Sequence, residues 1–491
     1  MVVRLNAASP AINRVLGSFD PLSQILSVNL STHSNASGAT TMQELLAGMN
    51  PAILVHEMAH FWQISTTAIG LRIFGFNQEN LSIGLRLIDA MAREQAGRIK
   101  IPIITNPPSN LSQLAGKLHR EQLRLFARRL QVEGGWNVPR NSLVGGKFIG
   151  GGTLIELDGF EFCNSKFQMP IVLLPVEGRA VVLGTLQIFE SWSKAAEMIA
   201  GRIHGVGSLR AGAPGTKSKR PSNQETYFAA NSLFHHRVKQ NPKTAFWGLE
   251  HLILVCDTAC MLDAVVLGDD LKIEDLTPAQ WFSKLLDIIA GDAFEHVTLG
   301  DKYSVRDVAR FQDSLLSALG VPAKMVDLVV RCERFLKKLQ VHYAKTTYNP
   351  NLVDQLLTCI QHQLRWRRKT LFGGAVLEDL FTSKTTLVSV AAGSLPAIAM
   401  GPKILSHKSK SGLAFGEELP YHQQIASVVN SLLLGKRDCF LNQNPRSCVL
   451  PKCDFCDDVS LIGSAQSIPD CQRSAVLNEL LKMFEVRQLV W

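Results

Sequence analysis

Between residues 24 and 30 apolar and polar positions alternate, with Leu26, Val28 and Leu30 apolar and Ser27 and Asn29 polar. A period of two predicts a half-buried strand there. A polar loop, residues 31–40, follows. Asn50 then offers an N-cap and Pro51 a first-turn proline. Together they predict a helix to about residue 68, with Gly70 near its end. A second helix is expected over residues 80–96. Residues 141–152 are glycine-rich and loop-like. Residues 169–176 and 180–184 read as two strands around Glu177-Gly178, and residues 185–200 as a helix stopped by Gly201. Residues 207–223, rich in Gly, Pro, Ser, Lys and Arg, read as an exposed flexible loop. Beyond it helical period prevails over residues 242–267, 278–289, 305–319, 322–339 and 352–364, and no internal repeat is seen. The pattern predicts an α+β fold class: an N-terminal half with a small sheet and a largely α-helical C-terminal half. The expected division is residues 1–206, a loop at 207–223, a helical region at 224–435 and a cysteine-rich segment at 436–491.

Composition narrows this picture. Of 491 residues 46% are hydrophobic and 19% charged, the balance of a folded chain with a large core. Lys plus Arg number 51 and Asp plus Glu 42, a net charge of +9. Over this length that excess permits weak attraction to acidic partners and does not argue for nucleic acid. The N-terminal residues place no basic stretch before an unbroken apolar run, so no secretory signal is expected. The most apolar later stretch, residues 252–267, is broken by Asp257 and Asp263 and reads as a buried helix, so no membrane partner is expected. Five of the ten cysteines are scattered and five fall between Cys439 and Cys471. That is not the layout of a small secreted scaffold, and a reducing, cytoplasmic setting is expected.

The central chemical signal is Ile53-Leu54-Val55-His56-Glu57-Met58-Ala59-His60-Phe61-Trp62. On a helix His56 and His60 project from one face, and their imidazoles can converge on one ion. Glu57 stands one residue on, able to reach a zinc-bound water as catalytic base without ligating the metal. A chain of this length shows His-Glu-x-x-His by chance on the order of one time in a hundred, so the flanks decide. They are apolar on both sides, and a helix apolar nearly all round belongs in a core. Two histidines and a glutamate buried there without partners are costly.

Through this motif, specifically over residues 51–70, the chain resembles the zincin metallopeptidases. His-Glu-Met-Ala-His-Phe-Trp-Gln is similar to the active helix of the aminopeptidase-type gluzincins. It is not metzincin-like, because Gln63 and Thr66 stand where that pattern needs a glycine and a third histidine. The resemblance implies a zincin-like N-terminal half with an active-site helix, zinc as cofactor, a peptide or protein substrate and a third ligand from a later glutamate. Two glutamates compete. Glu190, followed by small residues and by Glu197 on the same face, looks like the gluzincin ligand helix, although Lys194 stands where several members carry an acid. Glu197 is placed to support a ligand from behind. Glu79 has the aminopeptidase-type spacing from His60 but less similar surroundings, and it also reads as an acid near a helix N-terminus. Gln63 shares a helix face with His60 and reads either as support for the site or as a core polar residue.

Cys439, Cys448, Cys453 and Cys456 form a second candidate metal site. Cys453-x-x-Cys456 presents two thiolates from a turn, and the upstream pair completes a tetrahedral set for a structural metal or an iron–sulfur cluster. The competing reading is buried or idle thiols. Cys256 and Cys260 read as core thiols. His235-His236 is expected between two loops, and the basic run from Arg365 to Lys369 as a solvated helix face. Three functions are thus open. The first is a zinc-dependent hydrolase, most simply a metallopeptidase, with a strand near residues 171–176 aligning an extended peptide. The second is a non-catalytic binding or scaffold protein with structural or vestigial metal sites. The third, resting on charge alone, is a nucleic-acid-linked factor.

Overall fold

A computed structural model describes residues 17–19, 24–28, 40–125, 147–149, 154–156, 160–162, 165–167, 170–174, 179–205, 224–291, 294, 304–346, 349–370, 383–395, 397–400, 403–406, 418–434 and 472–490. The chain is α-rich. Strands β1 (Gly17–Phe19) and β2 (Ile25–Val28) open it, followed by helix α1 (Met42–Gly48), whose Thr41 and Glu44 form a capping box. Helix α2 (Pro51–Thr66) starts as its sequence predicts. The Asn50 side chain accepts from Ala52 N–H at 2.9 Å, and Pro51 fills the first turn. All sixteen residues of α2 are buried, so it is a core helix with no face exposed to solvent.

The segment after α2 departs from expectation. The chain breaks at Thr67, whose hydroxyl donates to Gln63 C=O at 2.6 Å and accepts from Gly70 N–H at 3.0 Å. It then re-enters helix at once as α3 (Ala68–Glu94), which absorbs the expected helix at 80–96 and the stretch before it. Residues 68–78 are buried on every side, so no amphipathic stripe marked them as helical. Gly70 is not a terminator. A Cβ there would lie 2.0 Å from Gln63 O, so glycine lets α3 abut the last turn of α2.

Strand β3 (Arg98–Lys100) and α4 (Ser112–Leu125) follow, then β4 (Lys147–Ile149), β5 (Leu154–Glu156), β6 (Phe160–Phe162), β7 (Ser165–Phe167), β8 (Pro170–Leu174) and β9 (Arg179–Val182). The expected strand pair is β8 and β9, antiparallel with Ile171 opposite Val182. The order β4-β5-β8-β9 makes β8 an inner strand and β9 an edge. Through Leu183 and Gly184 the chain passes into α5 (Thr185–Ile203), which contains Gly201 instead of stopping at it.

The helices that follow are α6 (Gln224–Val238), α7 (Leu249–Met261), α8 (Ala264–Leu267), α9 (Pro278–Ala290), α10 (Val305–Ala318), α11 (Met325–Thr346), α12 (Pro350–Thr370) and α13 (Lys384–Ser394). The single helix expected over 242–267 is therefore split. The extended Gly248 starts α7, and Asp263 caps α8 by accepting from Val266 N–H at 3.0 Å. His235 and His236 lie in the last turn of α6, not between loops. Strands β10 (Ala397–Met400) and β11 (Lys403–Ser406), then α14 (Glu418–Leu434), α15 (Gln472–Met483) and β12 (Gln488–Val490), complete the described chain.

These late elements return to the N-terminal half. Strand β10 pairs parallel with β2, and β12 pairs parallel with β3. Helix α14 packs on α3 so closely that a Cβ at Gly84 would meet Val429. One apolar core runs from Phe19 to Leu489. No helix among the described residues is long and apolar enough to cross a membrane. The loop expected at 207–223 and Cys439, Cys448, Cys453 and Cys456 lie outside the described residues.

Candidate metal centre

Helices α2 and α5 lie face to face. On α2 the positions in play are His56, His60 and Gln63, and on α5 they are Glu190, Ser193 and Glu197. Both sets follow helical spacing, so each set is one stripe. His56 meets Glu197, His60 meets Glu190 and Ser193, and Gln63 meets Phe189 and Ser193. The partners run in opposite order, so the helices are antiparallel.

Three ligand atoms converge between them. His56 Nε2 and His60 Nε2 are 3.2 Å apart, and Glu190 Oε2 lies 3.6 Å from the first and 3.4 Å from the second. Three ligands at a tetrahedral zinc stand roughly 3.3 Å from one another, given bonds of about 2.0–2.1 Å. This triangle is that size. His56, His60 and Glu190 form the group among the described residues able to hold a metal ion.

The surroundings fix which way the imidazoles face. Gln63 spends its amide N–H groups on Phe189 C=O at 2.9 Å and on Ser193 Oγ at 3.1 Å, leaving its Oε1 to accept from His60 Nδ1 at 3.0 Å. Glu197 Oε2 lies 3.1 Å from His56 Nδ1, within ion-pair distance. His60 Nδ1 is therefore a donor, and the two Nε2 atoms face each other and Glu190. Glu190 is fully buried, and neither of its oxygens has a hydrogen-bond partner among the described residues. Two imidazole nitrogens and a buried carboxylate facing one point are a donor set that could hold a metal ion. Electrostatics agree. Burial opposes a charge on His56, but the Glu190 and Glu197 carboxylates outweigh it and push the imidazole up to about 10. Burial likewise opposes ionisation of Glu190, but His60 and His56 bring it down to about 2. Without a metal the site holds a proton, and proton and metal compete for the same lone pairs.

Glu57 is 3% exposed and stands outside the triangle. Its Oε2 is buried with no hydrogen-bond partner among the described residues. Burial raises its carboxyl; the two imidazoles work against that, and Glu190 and Glu197 add to it. A raised carboxyl beside a cation site suits a group that takes up and returns a proton.

Glu79 is elsewhere. It sits half-buried on α3, and its charge acts on Tyr343, whose hydroxyl donates to Gly75 C=O. Cys256 and Cys260 are fully buried, and burial raises both thiols. The basic run on α12 is not uniformly solvated. Arg365, Arg368 and Lys369 are exposed, but Arg367 is fully buried. Its Nη2 donates to Asp257 at 2.7 Å and its Nη1 to Thr66 C=O at 3.1 Å, at the C-terminus of α2. A buried arginine inside an arginine-rich run carries no sequence signal of its own; only the paired Asp257 in an apolar helix hints at it.

No family model matches the chain, and no curated protein and no solved structure is found similar to it.

Proposed function

We propose that this protein is a zinc-dependent hydrolase, with peptide bonds as the favoured substrate. The observation that supports it most is the convergence of two imidazole nitrogens and a fully buried carboxylate at ligand spacing, with Glu57 beside them and outside the triangle. A purely structural metal site has no use for that additional carboxyl, which favours the enzyme over a scaffold with a vestigial site.

His56, His60 and Glu190 would hold the ion, leaving one position open. When bound, zinc supplies Lewis acidity and makes water acidic enough to lose a proton near neutral pH. Glu57 accepts that proton and returns it to the leaving amine. Gln63 and Glu197 hold the two imidazoles in the tautomer that binds. The strand expected to align an extended peptide is β8, but β5 and β9 occupy both its edges. In this reading the role passes to β9, which pairs with β8 alone among the described strands and leads directly into the helix carrying Glu190.

The test is metal content by elemental analysis. Wild type should carry one zinc dependent on this site. His56→Ala and Glu190→Ala should lose it, and Glu79→Ala should keep it. Equal zinc in wild type and His56→Ala would overturn the proposal, and loss with Glu79→Ala alone would overturn the ligand set.

A further inference from the structure

Away from the metal centre, α11 and α12 form a hairpin. Arg367 meets Met325 and Arg368 meets Glu333, so the end of α12 returns beside the first half of α11. Each helix buries an apolar stripe, Leu328, Cys332 and Leu336 on α11 and Leu357, Ile360 and Leu364 on α12. The opposite stripes carry Arg334, Lys337 and Lys338 on α11 and Arg365, Arg368 and Lys369 on α12, all exposed. Spacings of three and four place each trio on one helix face, and the Arg368–Glu333 pair at 3.2 Å joins the two faces. Asp270, which pairs with Arg331 on the flank, also acts on Arg334. Among the described residues the cations other than Arg368 have no ion-pair partner. Like charges four apart destabilise a helix, so folding does not account for Arg334 beside Lys338 or Arg365 beside Lys369.

We propose that this outer face of α11 and α12 docks on an anionic phospholipid surface. Two helices side by side present their charges in one plane, and an acidic leaflet is a plane of negative charge, so all six cations approach it together. Duplex nucleic acid is a cylinder that meets a flat face along one ridge, and reading it takes an element that enters a groove. Single strands are held by aromatic stacking, but Trp366, the aromatic of the basic run, is turned away onto Trp62. Val341, 66% exposed and one turn beyond Lys337 and Lys338, adds an aliphatic side chain that suits the headgroup layer and has no partner on a phosphate backbone. Docking of this kind needs no membrane-spanning helix. Trp366 and Arg367 reach α2 from the inner side of α12, so the docking face points away from α2, and the proposal stands or falls independently of the zinc reading.

The test is co-sedimentation of the full chain with lipid vesicles. At about 0.1 M salt wild type should bind phosphatidylcholine vesicles containing roughly one-third phosphatidylserine and ignore phosphatidylcholine alone, and about 0.5 M salt should release it. Changing Lys337, Lys338, Arg365 and Lys369 together to glutamine should lower the partition about a hundredfold or more, at roughly fivefold for each cation removed from near the leaflet. Changing Lys100, Lys117, Lys239 and Arg306, four exposed cations elsewhere, to glutamine should lower it less than about threefold, because charges beyond a screening length of the leaflet contribute little. The melting temperature of the first variant should match wild type, since all four of its positions are exposed. If it melts early, the pair Lys337→Gln and Lys338→Gln should still lower binding about twentyfold. Equal binding to the two vesicle types, equal loss in the two quadruple variants, or unchanged binding in the pair would overturn the proposal. A duplex oligonucleotide that strips wild type from the vesicles at equal phosphate concentration would assign the face to nucleic acid and overturn the membrane reading.

Discussion

At the residue scale the site separates holding from reacting. His56, His60 and Glu190 face one point at ligand spacing, whereas Glu57 lies one residue along the same helix with an unshared oxygen. Glu57→Gln preserves shape and removes the ability to take a proton. It should keep zinc content at the wild-type level while hydrolysis of a responsive peptide falls on the order of a hundredfold or more. A variant hydrolysing as fast as wild type would remove Glu57 from the mechanism. A second residue-scale effect lies away from the site. His422 on α14 is fully buried, and burial brings its imidazole down to about 4. Between that value and the ordinary 6.5 the unfolded chain binds a proton that the folded chain refuses. Stability from this residue is therefore complete above about pH 6.5 and declines as pH falls toward 4, by roughly 3 kcal/mol in all. Denaturant titrations of wild type and His422→Phe across that window check it: the difference between them should shrink in the variant's favour as pH falls.

At the element scale, two things hold α2 in place, and only one was readable. Asn50, Pro51 and the His-Glu-x-x-His spacing announce the start of the helix and its chemical face, and residues 185–200 carry the partner helix with Glu190 and Glu197 at helical spacing. The end of α2, expected near residue 68, falls at Thr66, but the group that bonds its last carbonyl was not readable, because it comes from 301 residues away in sequence: Arg367 donates to Thr66 C=O. Likewise, that α2 and α5 would lie antiparallel, bringing Gln63 to Ser193 and Glu197 to His56, follows from tertiary packing and not from either stripe alone. Arg367→Met leaves Asp257 buried without its cation and α2 without its cap. It should cost about 3–5 kcal/mol in equilibrium unfolding. Replacing Asp257 by leucine in the same chain removes the stranded charge and should return part of that loss, even though Gln312 also donates to this carboxylate. If the single variant is as stable as wild type, the cap is incidental.

At the scale of the whole molecule, the sequence changes texture near residue 206, from mixed strand and helix to largely helix, but the core does not stop there. Helix α2 is covered by α12, where Trp366 stacks on Trp62 with ring centroids 5.9 Å apart and Arg367 reaches Thr66. Helix α5, which carries Glu190, packs on α6 and α7. Strand β2 draws on β10, and α3 on α14. A piece comprising residues 1–206 keeps His56, Glu57, His60, Gln63, Glu190, Lys194 and Glu197, so every residue of the candidate site is present in it. It lacks α12, which covers α2, and α6 and α7, which cover α5, and a helix buried on all sides exposes part of its core when they are removed. Such a fragment should therefore melt without a cooperative transition and bind zinc far more weakly than the full chain, since binding energy would be spent on ordering the two helices against each other. Circular dichroism melting and chelator competition on the fragment and the full chain decide this. A fragment with a sharp transition and full-chain zinc affinity would show that the site is held by its own half, and that the long-range cap on α2 adds stability without shaping the metal centre.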